Sequence, residues 1–68
     1  MLTPERIREL ASRKNVKATP TLNFLFSVGQ NKDEGTAYAN MEKDARSYGW
    51  NAATCSAIRT GISEHFTK

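Results

Sequence analysis

The 68-residue sequence predicts an all-α domain, a compact bundle of four short helices with a tight helix-turn-helix between the last two. Apolar residues recur at three- and four-residue spacing, from Ile7 and Leu10 near one end to Ile58, Ile62 and Phe66 near the other. Helix-starting residues stand just before those runs, in Thr3-Pro4, Thr19-Pro20, Asp33 and Asn51. Asn15 and Gly49 stand where the first and third runs stop. No linker, repeat or low-complexity tract interrupts the chain, so one domain is expected over 1–68.

The first helix is predicted over residues 4–14. Thr3 is its N-cap, Pro4 fits the first helical position, and Leu2 and Ile7 have the spacing of a hydrophobic staple. Ile7, Leu10 and Ala11 form its apolar face, and Glu9 and Arg13 pair outside. Residues 19–29 carry two periods at once. Leu22, Phe24, Phe26 and Val28 alternate as in a strand, whereas Leu22, Leu25, Phe26 and Gly29 recur as in a helix. The Thr19-Pro20 start favours the helix, and the only partner for a strand would be the Ala-rich 36–41. As a helix it is apolar nearly all round and is expected to be the central element.

The third helix is predicted over 34–48, capped by Asp33, with Tyr38, Met41, Ala45 and Tyr48 on its buried stripe. Gly49 ends it by taking the left-handed conformation, and Trp50 then packs back on the last turn. Asn51 caps the fourth helix, which is expected to bury Cys55, Ile58, Ile62 and Phe66 and to leave Ala52, Ala53, Ser56, Thr60 and Ser63 outside.

A chain this short buries only roughly 60% of the surface it exposes when unfolded, which leaves room for one modest core and little for a deep substrate cleft. The lone Cys55 makes no intrachain disulfide, and no apolar run approaches the ~20 residues that span a bilayer. With no signal-peptide pattern at the start, a reducing, cytoplasmic setting without a membrane partner is expected. Cys55 and His65 cannot form a dyad, because ten residues along one helix separate them by about 15 Å. No spacing of His and Cys suits a metal, and no Gly-rich phosphate loop is present. Glu5 and Glu9 share a face but have basic neighbours. The expectation is therefore a non-catalytic module with no cofactor and no small-molecule substrate.

Residues 41–60 resemble the helix-turn-helix of phage-repressor-type DNA-binding proteins. Ala45 is the small residue where the two helices cross, Gly49 is the turn glycine, and Trp50, Cys55 and Ile58 supply the apolar positions after it. Asp44 stands where that motif has an apolar residue, and Trp50 is bulkier than the usual aliphatic. The resemblance implies a recognition helix starting after Asn51, yet its outward face is small, with Asn51, Ser56 and Arg59 the polar residues able to meet a base edge or phosphate.

The formal charge of +3 is unevenly placed: residues 1–17 carry +3, residues 18–41 carry −1, and residues 42–68 carry +1. Phosphate contacts would therefore come from Arg6, Arg13, Lys14 and Lys17. The alternative is a protein-interaction or homodimerisation domain. In that reading the small residues Ala52, Ala53, Ser56 and Thr60, together with Ala57 and Gly61, let a partner helix come close. Tyr38, Tyr48 and Trp50 are expected in the core rather than on a stacking surface.

Overall fold

The computed structural model describes residues 2–67. Its elements are α1 (Pro4–Ala11), α2 (Ala18–Phe26), a 3-10 turn (Val28–Gln30), α3 (Glu34–Tyr48) and α4 (Ala52–Phe66), with no strand among the described residues. The all-α expectation holds, and residues 19–26 are helical.

Local chemistry explains most of the boundaries. Thr3, Asp33 and Asn51 each cap a helix, accepting from the backbone N–H of Arg6, Thr36 and Thr54. Gly49 sits at φ 65° and ψ 41°, and the Trp50 N–H donates to the Ala45 carbonyl at 3.1 Å, so α3 closes in a Schellman-type turn.

Three boundaries differ from expectation. α1 stops at Ala11 rather than at residue 14, because the Ser12 hydroxyl turns back to the Glu9 carbonyl and Asn15 takes a left-handed φ of 67°. α2 starts at Ala18, so Thr19 is not its cap and Pro20 is its third residue. A tertiary contact sets this start. The Lys17 N–H donates to the Thr54 hydroxyl at 2.8 Å, and the Lys17 carbonyl accepts from the Thr21 N–H and hydroxyl. α2 also ends before Gly29, which lies in the 3-10 turn.

The core gathers Ile7 and Leu10 of α1, Leu25, Val28, Ala37 and Met41, and Ala57, Ile58 and Ile62 of α4. α4, not α2, is the central helix: it packs against α1, α2, the 3-10 turn and α3. α2 fully buries only Thr21 and Leu25 and leaves Phe26 52% exposed, partly covered by the Arg8 guanidinium.

The buried stripe of α4 is Thr54, Ala57, Ile58, Gly61 and Ile62, turned from the predicted one, so Cys55 and Phe66 are only half-buried. Ala57 and Gly61 therefore face inward, not toward a partner. A Cβ at Gly61 would stand 2.5 Å from a Leu25 methyl, which shows how closely α2 crosses α4 there.

Candidate nucleic-acid interface

The expected basic residues separate into two groups. Arg6 is already engaged. Its guanidinium grips the Glu64 carboxylate at 2.9 and 2.7 Å and also bonds Glu9, tying α1 to the last turns of α4. The hydrogen bond to Glu64 raises the Arg6 pKa, and the same bond holds the Glu64 carboxyl below the usual carboxylate range. Arg6 is thereby removed from the candidate phosphate contacts.

Arg13, Lys14 and Lys17 are exposed on the loop between α1 and α2, and none of them has a carboxylate oxygen within 4 Å among the described residues, although Arg13 is near enough to Glu64 to help hold its carboxyl low. That loop is fixed at two points to the start of α4. The Asn51 side-chain amide donates to the Asn15 carbonyl at 2.8 Å, and Thr54 receives the Lys17 N–H. Residues distant in sequence thus tie the backbone of the basic loop, at Asn15 and Lys17, to the start of α4. The Asn51 amide is engaged at both ends, since its oxygen also caps α4. With one N–H and one acceptor position so occupied, it positions the loop.

The remaining candidates lie on the outer side of α4. Ser56 and Arg59 are exposed, with Arg59 standing 3.9 Å from Glu42. Ala52, Cys55, Ser56, Arg59 and Thr60 line a shallow depression, and Ala53 is half-buried beside it. The Thr60 hydroxyl turns back onto the Ser56 carbonyl.

A larger feature was not expected from the sequence. α3 packs on α4 and meets α2 at most at its margins, which leaves a groove of about 800 Å³ between α2 and α3. Lys17, Thr19, Pro20, Asn23 and Phe24 form one wall, and Asn40, Lys43, Asp44 and Tyr48 form the other. An Asn40 to Asn31 side-chain hydrogen bond of 2.6 Å bridges α3 to the residue after the 3-10 turn.

Three aromatic rings join the walls. Trp50, half-buried, meets Phe24 edge-on and Tyr48 nearly parallel, with centroids 6.2 Å apart in both pairs. Tyr48 is 70% exposed, so its expected place in the core is corrected. It is the last residue of α3, and its ring lies over Trp50 at the groove instead of under the helix. Tyr38 is half-buried and reaches the Arg59 carbonyl. The signal available in sequence was the pair of aromatics flanking Gly49, which reads equally well as a packed turn.

His65 meets Phe66 edge-on, and no group of three His, Cys, Asp or Glu residues that could hold a metal occurs among the described residues. No described helix is long and apolar enough to cross a membrane. In comparisons with protein families, curated proteins and solved structures, none matches this chain.

Proposed function

We propose that this domain is a non-catalytic nucleic-acid-binding module whose contact surface is the 12–17 loop together with the turn between α3 and α4. The observation that carries the reading is the pair of hydrogen bonds from Asn51 to Asn15 and from Lys17 to Thr54, which tie the backbone of the loop bearing Arg13, Lys14 and Lys17 to the start of α4. Held cations lose less conformational freedom when they meet phosphates than cations on a free tail.

The role of α4 as a helix that reads bases has less support. Asn51 is engaged, Arg59 faces Glu42, and the rest of the outer face is small. Base-independent phosphate contact fits the surface better than sequence reading through α4.

The test is polarization of labelled DNA and RNA as salt is raised. Each phosphate neutralised contributes about −0.7 to −0.9 to the slope of log K against log salt. Arg13→Ala with Lys14→Ala should weaken binding and flatten that slope by about 1.4–1.8. Absence of salt-sensitive binding at low ionic strength ends the proposal.

A second reading, self-association through the outer side of α4, is supported by the shallow depression around Ala52, Ser56 and Thr60. In sedimentation equilibrium it requires a concentration-dependent dimer that Ser56→Trp abolishes.

A further inference from the structure

We infer that the groove between α2 and α3 receives unstacked bases of a single strand, with the Tyr48 and Trp50 pair as the stacking platform. This rests on the nucleic-acid reading above and adds the form of nucleic acid and the place where its bases lie.

A largely exposed tyrosine held parallel to a tryptophan offers a flat π-face to anything entering the groove. Within a duplex, base faces are already covered by their neighbours, so such a platform serves only bases that have left the stack. The groove has the chemistry of the rest of a nucleotide as well. Lys17 and Lys43 stand on opposite walls as phosphate partners. Asn23 and Gln30 also line it and make no side-chain hydrogen bond among the described residues, which leaves their amides to meet base edges. Asp44 repels phosphate and accepts from exocyclic amines.

A helical peptide fits less well. Such ligands seat aliphatic anchors on an apolar floor, and no Leu, Ile, Val or Met lines this groove. The groove is also continuous with the proposed phosphate surface, because Lys17 belongs to both the basic loop and the groove wall.

Trp50 is the only tryptophan, so its emission reports directly on the platform. A mixed-sequence 12-nucleotide single strand, as DNA and as RNA, and the corresponding DNA duplex are titrated at low salt, following Trp50 emission and polarization of the labelled strand. The single strands should quench Trp50 and bind at least tenfold more tightly than the duplex. Tyr48→Ala should weaken single-strand binding by about fivefold to a hundredfold, the loss of one stacked base. Lys43→Ala should flatten the salt slope by about 0.7. Phe26→Ala, removing an exposed aromatic outside the groove, should leave single-strand affinity unchanged, and circular dichroism verifies that each variant is folded. Equal single-strand and duplex binding without quenching overturns this inference and leaves the basic surface standing. Binding of neither overturns both. Trp50 emission that changes with protein concentration alone, and not with oligonucleotide, overturns the inference in favour of a second copy of the chain.

Discussion

Gly61→Ala tests the crossing of α2 over α4 with a single methyl group. In an exposed helix the change would be stabilising by up to about 1 kcal/mol, since alanine has the higher helix propensity. Here the added Cβ would lie 2.5 and 2.6 Å from the two Leu25 methyls and 3.1 Å from Leu25 Cγ. Leu25 is 1% exposed, so it cannot swing into water, and neighbouring core side chains must shift instead. Overpacking of that kind costs about 1–3 kcal/mol, and three carbons of one enclosed side chain put this site at the upper end. Subtracting the propensity gain leaves a net loss of about 2 kcal/mol, a large share of the roughly 3–10 kcal/mol expected for a domain of this length. The thermal midpoint should fall by about 8–16 °C. Thermal unfolding followed by circular dichroism measures this, with Gly35→Ala as the comparison. There the new Cβ meets only Asp33 Oδ1 at 3.5 Å and the midpoint should hold or rise. The penalty at Gly61 should also shrink in a Leu25→Ala background, because the clashing atoms are gone. A Gly61→Ala protein as stable as the parent would refute the close crossing of α2 and α4.

Gly49→Ala should cost about 1–2 kcal/mol for a different reason: nothing lies within 4 Å of the added Cβ, but the φ of +65° disfavours any L side chain. Gly49→Asn should recover part of that loss in a denaturant melt. Asn51→Ala should cost about 1–2 kcal/mol and increase hydrogen exchange at the Thr54 amide, whereas Asn51→Asp should retain the cap and lose only the bond to Asn15. Thr54→Val should cost about 1–3 kcal/mol, because the Lys17 N–H loses its partner. Acid should destabilise the fold. Glu64, bonded to Arg6, and Asp33, accepting from the Thr36 N–H, both have lowered pKa values. Their stabilisation is complete above the ordinary carboxylate range and is lost as pH falls through their folded values. Unfolding midpoints measured from pH 7 down to pH 2 should therefore fall through the acid range, and Glu64→Gln should show a shallower fall than the parent.

The elements legible in the sequence were those decided by neighbours in the chain. Asp33, Gly49 and Asn51 fix the ends of α3 and the start of α4 through bonds reaching three to five residues, so reading the residues was enough. The start of α2 depended on Thr54, 37 residues away, and no local pattern announces such a bond. The turned stripe of α4 has a similar origin. Side-chain size alone marked Ala57 and Gly61 as spare surface, whereas the close approach of α2 makes their smallness a requirement of the core. α2 looked central because it is apolar on every side, yet a domain of this size has too little mass to cover all of them, and Phe26 stays in water. The basic loop was legible as charge. Its position beside α4, and the groove lined by Tyr48, were not, because both depend on how far apart the packed helices stand.

The two hydrogen bonds that hold the basic loop join uncharged partners, an amide to a carbonyl and a backbone N–H to a hydroxyl. Salt screens charges and leaves bonds of this kind nearly untouched. Raising ionic strength should therefore turn down the field around Arg13, Lys14 and Lys17 without moving their backbone. The architecture of the surface and its electrostatics are separable, and a weaker complex at high salt reports lost attraction rather than a loosened loop. Had the loop been tied by an ion pair like that of Arg6 with Glu64, the same experiment would have mixed the two.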